Sequence, residues 1–377
     1  MNIPLLDLKA QYQTIRTEIL AAIEATCDKQ GFILGPRVVA LEQAIASYVG
    51  SRAAVGVASG SDALLLALMA LGVKAGDEVI TVPFTFFATA GAISRLGAKP
   101  VFIDIKPDTF NMDPALIERA ITPRTKVIIP VHLFGLCAEM EHINQVARQR
   151  KIGVVEDACQ AIGASRNRTH AGAWGDIACF SFFPSKNLGG FGDGGMATTN
   201  NQALADTIAM LRVHGSRVRY LHEAIGINSR LDSLQAAILL VKLKYLDQWA
   251  AGRRRNASRY DQLFRQANLL DRVILPKVGS ESTHVYNQYT IRVPKRDELR
   301  VYLKDKGIGT EVYYPLPMHL QNCYQDLGYQ KGAFPVCERA AEEVLSIPVY
   351  AELSDDQAGY VVECVKKFYD LSDRRPI

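Results

Sequence analysis

What the chain lacks narrows its function before any motif is read. Among its 377 residues there are 7 cysteines, an odd number, scattered without a C-x-x-C pair. That distribution excludes a disulfide framework and a zinc site, so the cysteines are expected as buried thiols of a reducing compartment. No G-x-x-x-x-G-K-[ST] phosphate loop occurs, which removes the commonest nucleotide triphosphate signature. No apolar run is long enough for a bilayer. The best uncharged stretch, residues 79–94, is short and rich in Thr, Pro and Gly. The opening MNIPLLDLKAQY holds acid and base within ten residues and no long apolar region, which does not match a signal peptide. There is no strong excess of one charge either: the net value of +4 suits an anionic small molecule and does not mark a nucleic-acid surface. Internal repeats and low-complexity segments are also missing. The expectation is a cytoplasmic globular protein with no metal, membrane or nucleic-acid partner.

What is present is an alternation of short apolar runs and amphipathic stretches. Helices are expected over residues 15–27 and 38–49, with the Gly31–Pro36 break between them, and a first strand over Ala53–Val57. Strands follow at residues 78–82, 99–104, 126–131, Gly153–Asp157 and 177–182. Helices at residues 63–71, 89–96, 114–120 and Met140–Arg150 separate most of them. This rhythm predicts a largely parallel sheet covered on both faces, an α/β architecture. After a helix at 204–213, residues 212–228 read as an exposed loop, and residues 233–249 as one long amphipathic helix. The Arg253-Arg254-Arg255 run reads as a solvated helix face. A domain boundary is placed near Ala250, giving a large domain over 1–249 and a smaller α+β domain over 250–377. The latter is expected to hold strands near 286–293 and 309–313 and helices at 296–306, 337–344 and 355–368.

In parallel sheets ligands gather beyond the carboxyl ends of the strands. That rule selects Gly60, Ser61, Thr85, Phe86, Asp157 and Lys186. Lys186 follows an apolar run and a proline and precedes a glycine-rich, nearly uncharged segment. A desolvated lysine has a lowered pKa, and its neutral amine can form a Schiff base. Asp157, 29 residues earlier, can hold a proton on a heterocyclic nitrogen, as pyridoxal phosphate (PLP) chemistry requires. Gly60 and Ser61 at a helix N-terminus suit a phosphate, and Ser181 can add a hydroxyl. Phe86 can stack on a ring, and Gln160 can donate to a phenolate oxygen.

SGSDAL at 59–64, VEDACQAIGA at 155–164, SFFPSKNLGGFGDGG at 181–195 and GINSRLDSLQAAIL at 226–239 resemble the DegT/DnrJ/EryC1/StrS nucleotide-sugar aminotransferases over nearly the whole chain. The resemblance implies PLP fold type I, the architecture of aspartate aminotransferase, with a mostly parallel seven-stranded sheet in the large domain. It also implies a homodimer with shared active sites. Lys186 becomes the Schiff-base lysine and proton shuttle, Asp157 the partner of the pyridine nitrogen, and Gln160 the phenolate contact. Gly60, Ser61 and Ser181 match phosphate contacts, and Asn228 a residue sent across the dimer interface. Arg230, His214, Tyr314 and His319 are candidates for the substrate side.

Two departures refine the expectation. Related sugar 3-dehydrases carry a histidine where this chain has Lys186, which favours amino transfer. The S-F-H-x-x-K pattern common in the family's 4-aminotransferases is replaced by Ser181-Phe182-Phe183-Pro184-Ser185-Lys186. The resemblance therefore points to amino transfer from L-glutamate to C3 of a UDP-linked 2-acetamido-3-keto sugar, with dTDP-linked 3-keto-6-deoxyhexoses as the runner-up. A PLP-fold regulator is the rival of a different class.

Overall fold

The computed structural model describes residues 1–373. Two helices, α1 (Leu8–Asp28) and α2 (Pro36–Val49), lead into the first strand, β1 (Ala53–Val57). The chain then alternates: α3 (Gly60–Ala70), β2 (Glu78–Thr81), α4 (Phe87–Arg95), β3 (Lys99–Phe102), α5 (Ile117–Ala120), β4 (Thr125–Ile128), α6 (Met140–Arg150) and β5 (Gly153–Asp157). Two more strands, β6 (Ile177–Ser181) and β7 (Gly195–Thr199), complete a seven-stranded sheet in the order β1-β7-β6-β5-β4-β2-β3. The pairs β2/β3, β2/β4, β4/β5 and β5/β6 are parallel, and only β7 runs antiparallel to its neighbours.

Side-chain alternation along the central strands explains the two covered faces. Val155 and Cys179 pack on one side with Leu64, Leu68 and Ile208 from α3 and α7 (Gln202–Leu211). The intervening Val154 turns to the opposite face with Ile128 and Ile143, and Phe180 does so with Leu41, Ile45 and Leu239. Strands buried on both faces read as continuous apolar runs, as parallel strands should.

Beyond β7 the structure departs from the sequence expectations in several places. Residues 212–228 are not a plain loop: they carry the ribbon β8 (Ser216–Val218) and β9 (Leu221–His222). The long helix expected at 233–249 is two helices, α8 (Ser233–Leu243) and α9 (Leu246–Gln266), with a tight turn in which the Tyr245 N–H donates to Lys242 O at 3.0 Å. The apolar surface of α8 is also consumed within the chain. Ile238 and Val241 pack with Ile15 and Ile19 of α1, and Ala236 and Leu239 with Leu41 of α2.

Arg253 is not solvated. It is 5% exposed, and its guanidinium donates to Val349 O at 2.8 Å and Tyr286 O at 3.0 Å; burial lowers its pKa to about 10. Only Arg255 of the triplet is exposed. The C-terminal part contains β10 (Tyr289–Arg292) paired with β11 (Val344–Ile347), and helices α10 (Arg296–Asp305), α11 (Pro335–Glu343) and α12 (Asp355–Asp373). The strand expected at 309–313 is reduced to one bridge, Glu311 to Ser346. The boundary placed near Ala250 falls inside α9, and the N-terminal Ile3 bridges Ile308 in the C-terminal part.

Candidate active site

β5 lies near the middle of the sheet, so its end opens on the crevice where such folds bind ligands. Asp157 closes this strand. Its backbone N–H donates to Pro130 O at 2.9 Å, and its carbonyl accepts from the His132 N–H at 3.0 Å. The side chain is buried: Oδ2 accepts from Thr89 Oγ1 at 2.7 Å and Oδ1 from the Cys159 N–H at 3.2 Å. Thr89 Oγ1 lies 2.8 Å from Thr85 Oγ1. Thr89 was not legible as a site residue, since a threonine one turn into a helix reads as ordinary.

Behind Asp157 sits a polar anchor. Glu156, fully buried, accepts from the N–H groups of Gly172, Trp174 and Gly175 at 2.8–2.9 Å and lies 2.9 Å from His132 Nε2. His132 Nδ1 accepts from the Ala138 N–H at 3.1 Å, so Nε2 carries the hydrogen and donates to Glu156. Glu156→Ala leaves four donors unpaired inside the protein. It is expected to cost about 3–5 kcal/mol, as a drop in the midpoint of denaturant unfolding. A loss under 1 kcal/mol would mean that water or neighbouring groups take over these donors.

Lys186 follows β6 through a turn in which its own N–H donates to Phe183 O at 2.8 Å. Its side chain is half-buried, and loss of solvent lowers its pKa, opposed by Cys159 and Asp157 nearby. A lowered pKa leaves more of the amine neutral and nucleophilic near neutral pH.

The N-terminus of α3 closes on this group. Ser59 Oγ accepts from the Asp62 N–H at 3.1 Å, leaving the N–H groups of Gly60 and Ser61 without intrahelical acceptors. A Cβ on Gly60 would stand 2.7 Å from Ser181 Cβ and 2.9 Å from Cys159 Sγ, so only glycine lets the helix end approach β6 this closely. Two free amides, a helix dipole and the Ser181 hydroxyl together make a cradle for a phosphate.

Gln160 is held on both sides. Its Oε1 accepts from the Phe134 N–H at 2.7 Å, and its Nε2 donates to Tyr314 Oη at 3.1 Å. Burial pushes the Tyr314 phenol up, so it stays protonated. Phe86, 57% exposed at the head of α4, has its ring 6.3 Å from that of Tyr314. An exposed aromatic in this position offers a face to a flat ligand.

The substrate-side candidates divide. His319 is 1% exposed, with Nε2 3.0 Å from Glu338 Oε1 and its ring edge-on to Phe334 at 4.8 Å. Its Nδ1 has no hydrogen-bond partner among the described residues. Asn228, His214 and the β8–β9 ribbon lie together on the surface. Asn228 does not cap α8, whose N-cap is Asp232. Arg230 is half-buried and has no ion pair among the described residues.

The group of a poised lysine, a buried carboxylate at a strand end and a phosphate cradle agrees with a comparison of whole chains. Residues 13–366 match the model of the DegT/DnrJ/EryC1/StrS aminotransferase family. The chain belongs to this family. It is 51% identical to a pleiotropic regulatory protein of Geobacillus stearothermophilus, over 98% of this chain and 99% of that one. It is 43% identical to the UDP-2-acetamido-2-deoxy-3-oxo-D-glucuronate aminotransferase of Pseudomonas aeruginosa, covering 96% and 98% of the two chains. A dTDP-3-amino-3,4,6-trideoxy-alpha-D-glucose transaminase of Streptomyces venezuelae is 42% identical, covering 99% and 98%. The crystal structure of S. venezuelae DesV in complex with a ketimine intermediate superposes with a TM-score of 0.95 at 40% identity, covering 100% of both chains. The fold is thus that of the PLP-dependent aminotransferases, and PLP is the family's cofactor.

The residues present fit that cofactor. Lys186 would hold its aldehyde carbon, Asp157 its ring nitrogen, and Gly60, Ser61 and Ser181 its phosphate. None of the described helices is long and apolar enough to cross a membrane.

Proposed function

We propose that this aminotransferase moves an amino group from L-glutamate to C3 of a UDP-linked 2-acetamido-3-keto sugar. The observation that carries the chemistry is Lys186, desolvated beside the buried Asp157 carboxylate. Bound PLP supplies an electron sink for the carbanion formed at the amino acid Cα. The protein's own residues do the rest. Lys186 would hold the cofactor through Nζ, and its amine, once freed by the amino donor, is the group that would take a proton from the donor Cα and return one when the keto sugar is bound. Asp157 would hold a proton on the ring nitrogen, and Thr89 and the Cys159 N–H fix the carboxylate. Gln160 would orient the ring, Phe86 would cover it, and the α3 N-terminus would bind the phosphate. Arg230, half-buried, and the exposed His214 are assigned to the substrate side, with Tyr314 bonded to Gln160.

The UDP reading is favoured by the Phe183-Pro184-Ser185-Lys186 segment. Its dTDP-linked rival has support of similar size, because relatives named for UDP sugars are 43–44% identical and those named for dTDP sugars 40–42%. Glutamate-dependent turnover of a panel of UDP- and dTDP-linked 3- and 4-keto sugars separates them. A preference for a dTDP or a 4-keto substrate would overturn the proposal. Absence of turnover on the whole panel, in a protein that binds PLP, would favour the regulatory reading raised by the name of the 51% identical relative.

The working form in this reading is a cytoplasmic homodimer with shared sites. Since α8 is covered within its own chain, the support comes from Val218, Tyr220, Leu221 and Ile225, which are 59–92% exposed on and beside the β8–β9 ribbon, next to Asn228. Apolar surface of that kind on one face marks an interaction site, and two-fold pairing is the commonest outcome. Co-expressed Lys186→Ala and Asn228→Ala chains test this. The heterodimer should regain part of the parent activity, because one of its two sites has both residues intact. No recovery in verified heterodimers, with each variant folded and impaired alone, would place Asn228 in its own subunit's site.

A further inference from the structure

The segment between β6 and β7 carries Lys186, and its two ends are tied together. The Phe182 N–H donates to Gly194 O at 2.8 Å and the Gly190 N–H to Phe182 O at 2.7 Å. Within it the turn from Pro184 to Gly189 is so tight that a Cβ on Gly189 would stand 2.2 Å from Pro184 O. α8 lies against this turn. Gln235 Oε1 accepts from the Phe191 N–H at 2.8 Å, and seven residues further along the same helix face Lys242 Nζ donates to Gly189 O.

Lys242 is unusual. It is 3% exposed, it has no carboxylate partner among the described residues, and burial alone lowers its pKa to about 8. Its ammonium stands 5.7 Å from the Phe191 ring and 5.8 Å from that of Trp249. A buried unpaired ammonium is costly, and an apolar residue of similar length would fill the space without that cost. What the apolar residue cannot do is donate to Gly189 O, at the far side of the turn that presents Lys186.

We propose that Lys242 is a positioning residue for Lys186: through the Gly189 carbonyl it fixes the turn that presents the Lys186 amine to its cofactor. This rests on Lys186 being the cofactor-binding lysine.

Full-length Lys242→Met and Lys242→Arg proteins test it by three readouts. These are the dissociation constant for PLP added to apoprotein, the pH midpoint of the visible absorbance of the lysine-linked cofactor, and the melting temperature of the apoprotein. Loss of a hydrogen bond from a charged donor should weaken PLP binding about tenfold in Lys242→Met. The midpoint should rise, because a looser turn admits water to Lys186; Asp157 and Cys159, the groups that act on Lys186 electrostatically, are unchanged. Lys242→Arg, which keeps charge and donors, should return both values towards the parent. Should Lys242→Met fail to fold, Lys242→Gln, which keeps only a shorter and uncharged donor, is measured instead, with smaller shifts in the same directions expected. A lower melting temperature with parent-like PLP affinity and midpoint would make Lys242 a packing residue and overturn the proposal. If the parent protein itself shows no lysine-linked absorbance, the reading of Lys186 fails and takes the proposal with it. A normal parent with an unaltered Lys242→Met sinks the proposal alone.

Discussion

Lys186→Ala is expected to show no measurable amino transfer and no visible absorbance from a lysine-linked cofactor. Two separate functions are lost with one side chain. The amine that binds the cofactor carbon disappears, and so does the base that moves the proton. Lys242, the other lysine near this loop, is directed at Gly189 O and does not substitute. The phosphate cradle at Gly60, Ser61 and Ser181 is untouched, so the variant should still bind PLP without the covalent link. Turnover with a keto sugar and glutamate, beside the absorbance spectrum, checks both halves. Near-parent turnover would remove Lys186 from the chemistry.

Asp157→Asn is the second large effect. Asparagine keeps the volume, and its one oxygen can still accept from Thr89 or from the Cys159 N–H. It has no charge to favour a protonated ring nitrogen. An adjacent carboxylate shifts a partner's pKa by about 1–3 units, so losing it should cost kcat about 10- to 1,000-fold, each unit being close to tenfold. Cofactor occupancy, read by mass spectrometry under non-denaturing conditions, should remain. Full occupancy at the parent rate would reduce Asp157 to a strand-end cap.

Much of this site is readable without coordinates because sheet geometry orders it. Strand ends at Val57, Asp157 and Ser181 fall where the apolar runs stop, and strands running in the same direction bring those ends to one crevice. The parts that escaped depend on long-range contacts. Thr89 reaches Asp157 across 68 residues of sequence, and nothing local distinguishes it from another helical threonine. Arg253 illustrates a different error. Three adjacent arginines on a helix point about 100° apart, so they cannot all share a solvated face. One of them turned inward, and the carbonyls at Tyr286 and Val349 accept from it. The break between α8 and α9 has neither proline nor glycine at Lys244-Tyr245, so no residue announces it. The pairing of His319 with Glu338 on α11 is another contact between distant stretches that no local pattern announces.

The central claim is that Lys186 covalently binds PLP, and borohydride reduction of the purified protein tests it most directly. Reduction fixes the cofactor on the amine that holds it, and peptide mass spectrometry then locates the added pyridoxyl phosphate. One labelled site per chain is expected, on the peptide containing Lys186, with loss of the cofactor's visible absorbance and of activity. A pyridoxyl group on any other lysine, or a protein that takes up PLP and yields no labelled peptide, would contradict it.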